Sequence, residues 1–310
     1  MKILSLNHVL SSEQFDRQML EELFDLSDKM ANISRQDRTL HNHIMVSLFY
    51  EPSTRTRFSF ESAMIKMGGT VITTENAAQF SSGAKGESLE DTIRVVSGYG
   101  DIIVIRHYLE GSANIAAQVS KVPVINAGDG TGEHPTQSLL DIYTIYKEIG
   151  RIDDFSIAMV GDLANGRTVR SLCKLIANNC KNVEIIFVSP PNVKMRDDIK
   201  SFLKEKNISF REEVELKKVA KSVDIIYQTR IQRERFKSVE EYEKTRGIYI
   251  INKEILDLMK PNAIIMHPLP RVDEITSEVD NDERAAYFRQ AYNGLFVRMA
   301  LLKVLLEKNT

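Results

Sequence analysis

Short apolar runs rich in Ile and Val recur along this chain, and they limit its fold more than any other feature. They read IMVSLFY at 44–50, IIVIR at 102–106, VPVIN at 122–126, SIAMVG at 156–161, EIIFVS at 184–189, DIIYQTR at 224–230 and AIIMH at 263–267, with a weaker candidate at 71–73. The runs do not alternate apolar with polar residues. Strands covered on both faces have this pattern, and such strands belong to parallel sheets. Helical spacings lie between them: Phe60, Ala63, Met64 and Met67 fall at i, i+3, i+4 and i+7, as do Leu139, Ile142, Tyr143 and Tyr146, and Tyr292, Leu295, Phe296 and Met299. Alternating strands and helices over 310 residues imply an α/β chain of two doubly wound parallel-sheet domains joined by interdomain helices. The expected division is a first domain at 1–135, completed by a C-terminal helix at 288–310, a linking helix at 136–149, and a second domain at 150–287.

The polar motifs fall just after the predicted strands. Ser53-Thr54-Arg55-Thr56-Arg57 follows the first, Arg106-His107 closes another, and His134-Pro135-Thr136-Gln137 follows the next. Gly161 to Thr168, Arg230 to Gln232 and His267 to Arg271 do the same in the second half. Open α/β sheets bind ligands beyond the carboxyl ends of their strands, so these motifs gather on the expected ligand side.

Ser53 to Arg57 opens a predicted helix. Unpaired backbone N–H groups, Ser and Thr hydroxyls and Arg guanidinium groups together suit a phosphate. An ordinary Ser cap followed by exposed arginines is the plainer alternative, but two arginines in a first turn oppose the helix dipole unless an anion is present. His134 precedes Pro135, a residue favoured at the first helical position. A neutral imidazole there could polarise a carbonyl; a capping histidine is the alternative. Gly161-Asp162-Leu163-Ala164-Asn165-Gly166-Arg167-Thr168 is one residue away from a phosphate-binding G-x-x-x-x-G-K-[ST] loop. With Arg in place of Lys, Arg167 reads better as a fork for a carboxylate or phosphate. Gln79 to Ser88, with Lys85 between glycines, reads as a mobile loop.

The net charge of −2 gives no general attraction to nucleic acid or anionic membranes, so any anion site must be local. Cys173 and Cys180 are too few for a disulfide framework or a four-cysteine zinc site. No run approaches the ~18 apolar residues of a membrane span, and the N-terminus lacks the apolar core of a signal peptide. The expected location is the cytoplasm.

Taken in order, the motifs resemble those of the transcarbamoylases. Phe49-Tyr50-Glu51-Pro52-Ser53-Thr54-Arg55-Thr56-Arg57 is similar to the family's carbamoyl phosphate signature, and the resemblance extends from about residue 40 to 300. His267-Pro268-Leu269-Pro270-Arg271 and Thr229-Arg230-Ile231-Gln232 resemble the aspartate-specific branch rather than the ornithine-specific one. Tyr108, Ala84 and Leu163 to Gly166 depart from the usual pattern and leave the expected contact residues intact.

The resemblance implies a transferase that carries the carbamoyl group of carbamoyl phosphate to L-aspartate, in an early step of pyrimidine biosynthesis. It assigns Ser53, Thr54, Arg55, Thr56, Arg106, His134, Gln137, Leu269 and Pro270 to carbamoyl phosphate, and Lys85, Arg167, Arg230 and Gln232 to aspartate. Arg55, Thr56, Lys85, Arg106 and His134 are the expected catalytic residues. Ser81 and Lys85 are expected to reach the site from a neighbouring chain of a homotrimer, which in some members joins regulatory chains. No metal, organic cofactor or covalent nucleophile is required.

Overall fold

The computed structural model describes residues 1–34, 37–75, 86–231 and 247–307. The chain forms two compact units. One comprises Met1–Leu140 with Asn293–Thr310, and the other Asp141–Tyr292.

The first unit holds a parallel sheet of β1 (Ile44–Phe49), β2 (Thr70–Glu75), β3 (Ile102–His107) and β4 (Val124–Asp129), in the order β2-β1-β3-β4. Helices α1 (Arg17–Ala31), α2 (Thr54–Lys66), α3 (Leu89–Val96) and α4 (Ser112–Val119) belong to it. The core-facing residues of α2, Phe60, Ala63 and Met64, are fully buried, as is Met67 just beyond its end. Each such side chain contributes roughly 1.5–3 kcal/mol, except the smaller alanine.

The second unit holds β5 (Ser156–Val160), β6 (Glu184–Val188), β7 (Ser209–Glu213), β8 (Ile225–Gln228) and β9 (Ile264–Met266), also parallel, in the order β7-β6-β5-β8-β9. Helices α6 (Arg167–Asn179), α7 (Asp197–Glu205), α8 (Leu216–Ala220) and α9 (Lys253–Leu258) accompany it. The division between units falls inside α5 (Pro135–Ile149) and inside α10 (Tyr287–Glu307).

The fold class is the expected one, with three local differences. First, β7 was not anticipated; it is an edge strand reading SFREE and is largely exposed, so it has no apolar run to reveal it. Second, β4 runs past the end of the apolar run at 126, through Gly128 to Asp129; all six of its residues are buried, and Gly128 takes a positive φ of 120°. Third, Tyr292 lies on an exposed face of α10, whereas Leu295 and Met299 are buried as the spacing implied.

Candidate active site

Each sheet reverses its direction of strand addition once. In the first unit the chain moves outward from β1 to β2, then returns past β1 to β3, which puts the switch point between β1 and β3. In the second it runs β5, β6, β7 and returns past β5 to β8. At such points the connecting chains leave in opposite directions and open a crevice at the strand ends.

At the first switch point, Phe49 of β1 lies in register with Arg106 of β3, and Tyr50 N–H donates to the Arg106 carbonyl at 2.8 Å. The chain then turns through Pro52 and Ser53 into α2. Ser53 is extended, and its side chain makes no capping bond. The first intrahelical bond is Arg57 N–H to Ser53 carbonyl at 3.0 Å, so the N–H groups of Thr54, Arg55 and Thr56 precede the helical ladder. The two arginines of this turn differ. Arg57 pairs with Glu75 at 3.0 Å and approaches Glu61 at 3.7 Å. Arg55 has no carboxylate partner among the described residues. Its side chain is exposed, yet nearby protein atoms partly desolvate the guanidinium and lower its pKa. The dipole objection therefore applies to Arg55 alone, which leaves it as the cation that an incoming anion would neutralise.

Arg106 is only 8% exposed. Its Nη2 meets Glu51 Oε2 at 2.8 Å, and its Nη1 donates to the Ala127 carbonyl at 3.2 Å. These partners fix the guanidinium beside the start of α2. His107, the next residue, serves the fold: its Nδ1 accepts Leu109 N–H at 3.0 Å, its ring lies against Tyr50 and Tyr108, and burial lowers its pKa.

His134 sits at the N-cap of α5, where its carbonyl accepts Gln137 N–H at 3.0 Å and Ser138 N–H at 3.3 Å. His134 and Gln137 are both buried. The preceding loop is held by Asp129, whose carboxylate accepts Glu133 N–H at 2.7 Å and Gly111 N–H at 2.9 Å, while burial raises its pKa. Gly130 is required there: a Cβ would lie 2.4 Å from the Tyr108 carbonyl oxygen.

At the second switch point, Gly161 follows β5 with φ of 117°, and a Cβ on it would lie 2.4 Å from the Thr229 carbonyl oxygen. A Cβ on Gly166 would lie 2.8 Å from the Asp162 carbonyl oxygen. These glycines thus answer to close chain packing, which accounts for the P-loop-like string without a nucleotide. Arg167 begins α6, Arg230 follows β8, and both are half-buried.

The turn after β9 contains Leu269, with φ of 55°, and a cis Leu269–Pro270 bond. His267 shapes it: Nδ1 accepts Leu269 N–H at 2.7 Å, and Nε2 lies 2.8 Å from Glu274 Oε1. Burial alone would raise the Glu274 carboxyl, but its hydrogen bonds, led by His267, leave its pKa below the usual value. Arg271 is engaged by Asp280 and by Tyr287 Oη at 3.1 Å. Sequence reasoning gave no role to Glu51, which lies inside the Phe49–Arg57 signature and pairs with Arg106, to Glu274, which meets His267, or to Asp129, which holds the loop before His134. Ser81, Lys85 and Gln232 lie outside the described residues. Among the described residues, no group of His, Cys, Asp and Glu has the arrangement of a metal site.

Residues 7–147 match the aspartate/ornithine carbamoyltransferase carbamoyl-P binding domain, and residues 153–305 match the Asp/Orn binding domain. The chain belongs to the aspartate/ornithine carbamoyltransferase family. It is 59% identical over 310 residues to a chloroplastic aspartate carbamoyltransferase of Arabidopsis thaliana, a match spanning 99% of this chain and 79% of that one. The catalytic subunit of M. jannaschii aspartate transcarbamoylase superposes with a TM-score of 0.92 at 50% identity, covering 98% of this chain and 99% of that one. A Trypanosoma cruzi aspartate transcarbamoylase in complex with N-(phosphonacetyl)-L-aspartic acid gives a TM-score of 0.90 at 39% identity, covering 97% and 96%.

One expectation is overturned. The plant relatives from Arabidopsis thaliana and Pisum sativum are named chloroplastic, which contradicts the expectation of the cytoplasm.

Proposed function

We infer that this chain transfers the carbamoyl group of carbamoyl phosphate to the amine of L-aspartate, giving N-carbamoyl-L-aspartate and phosphate in de novo pyrimidine biosynthesis. One structural observation carries the reading. A helix N-terminus with no side-chain cap, whose Arg55 has no carboxylate partner among the described residues, stands at the β1–β3 switch point, next to the oriented guanidinium of Arg106.

In this reading Ser53, Thr54, Arg55 and Thr56 hold the phosphate. Arg106 and His134 face the carbonyl oxygen, and Gln137 with the Leu269 and Pro270 carbonyls orients the carbamoyl NH2. Arg167 and Arg230, with Gln232 and Lys85, hold the two carboxylates of aspartate. A cationic side chain such as that of ornithine would be repelled by the same guanidinium groups. The amine attacks the carbonyl carbon, forming the new C–N bond, and the tetrahedral oxyanion faces Thr56, Arg106 and His134. The C–O bond to phosphate then breaks, and the departing phosphate takes the amine proton. Positioning and charge stabilisation supply the catalysis.

The assembly is a homotrimer in which Ser81 and Lys85 serve a neighbouring chain. Mixing an Arg55→Ala chain with a Lys85→Ala chain after reversible dissociation tests this. Activity above that of either variant alone is expected, and no recovery counts against a shared site. The reaction itself is tested by product formation with aspartate, ornithine and other amines; preference for a cationic acceptor would sink the assignment.

A further inference from the structure

Beneath the His267–Arg271 turn, the second unit buries a run of polar side chains that the reaction as described does not use. Asp141 of α5 is fully buried; it accepts Tyr227 Oη–H at 2.7 Å and Gln290 Nε2–H at 2.6 Å. Gln290 of α10 is 1% exposed, and its Oε1 accepts His267 N–H at 2.8 Å. The run then continues through His267 to Leu269 and Glu274, with Glu274 Oε2 accepting Val272 N–H at 3.0 Å.

The run has a fixed direction. A carboxylate only accepts, so the NH2 group of Gln290 must face Asp141, and its oxygen must face His267 N–H. Because His267 Nδ1 accepts from Leu269, Nε2 carries the ring proton and donates to Glu274. Burial and the Asp141 charge push the Tyr227 phenol well above its usual range, which keeps it a donor. Apolar residues of equal volume would stabilise a core as well as this network or better. What the network does supply is a defined backbone position at a turn where Leu269, a non-glycine residue, holds a φ of 55°.

We propose that Gln290, oriented by Asp141, is a positioning residue for carbamoyl transfer. It fixes His267, and through it the turn whose Leu269 and Pro270 carbonyls meet the carbamoyl NH2. The proposal rests on the assignment of those two carbonyls to the substrate. It also gives Asp141 a second role, since Tyr227 lies in β8, the strand that leads to Arg230.

The test uses a feature of the two ligands. Carbamoyl phosphate carries the carbamoyl group and inorganic phosphate lacks it, so only the first should sense the turn. In the purified full-length chain, Gln290→Met is expected to lower kcat and weaken carbamoyl phosphate binding, together on the order of 10²-fold in kcat/KM. Inhibition by inorganic phosphate should be unchanged. Glu274→Gln, which keeps the shape of the turn and disturbs one bond, should show the same selective loss to a smaller degree, and it decides the matter if Gln290→Met fails to fold. An unchanged kcat/KM in both variants would overturn the proposal, as would an equal weakening of carbamoyl phosphate and phosphate. If the parent chain itself binds carbamoyl phosphate no better than phosphate, the failure lies in the assignment of the two carbonyls.

Discussion

The two switch points share a topology, and in the proposed reading they use different chemistry to receive an anion. At β1–β3, much of the apparatus is backbone and hydroxyl: an uncapped helix start, Ser53, Thr54 and Thr56, with the guanidinium of Arg55, which has no carboxylate partner among the described residues. At β5–β8, Gly161 and Gly166 sit close against the Thr229 and Asp162 carbonyls, where a Cβ would clash. In the proposed reading, recognition there falls to the side chains of Arg167 and Arg230. A backbone cradle with a dipole suits a compact phosphate. Two guanidinium forks on separate elements suit two carboxylates held apart, as in aspartate.

That contrast can be broken in several ways. The largest effect belongs to Arg55→Ala, expected to reduce kcat/KM by about 10²–10³-fold, or roughly 3–4 kcal/mol. Because Arg55 is exposed and has no carboxylate partner among the described residues, thermal unfolding should barely change; a large loss of stability with modest loss of rate would make it structural. Gly161→Ala should act in the opposite sense. It places a Cβ against Thr229 at a left-handed backbone position and should cost about 3 kcal/mol of stability in urea unfolding. A neutral result would mean that the β5 and β8 exits are less tightly joined than the geometry shows. Arg230→Ala should raise the KM for aspartate by roughly 2–3 kcal/mol equivalent, leaving phosphate inhibition intact. Loss of both would erase the division of labour between the switch points. Arg57→Ala is the smallest change. Its partners are Glu61 and Glu75, so it should cost about 1 kcal/mol of stability, and less at high salt, with only a few-fold effect on rate.

Much of this contrast is written locally in the sequence. Strands buried on both faces, such as Ile102–His107, announce themselves as apolar runs because every residue must avoid water. Ser209–Glu213 is equally a strand, but at the sheet edge its side chains answer to solvent. Glycine is permissive, so Gly128 carries no strand signal of its own, although β4 runs through it to Asp129, which pairs with His107. The motif residues of the site are contiguous, whereas their partners are not. Glu51 lies inside a motif and Glu274 within a few residues of one, but Gln290 reaches His267 across 23 residues and Asp141 across 149. Such pairings arise from packing, and no spacing rule exposes them.

The central claim is tested most directly by supplying the purified chain with carbamoyl phosphate and L-aspartate and following both products. The account predicts N-carbamoyl-L-aspartate with stoichiometric phosphate, and little transfer when L-ornithine replaces aspartate. Faster transfer to ornithine, or phosphate release without carbamoylated aspartate, would contradict it.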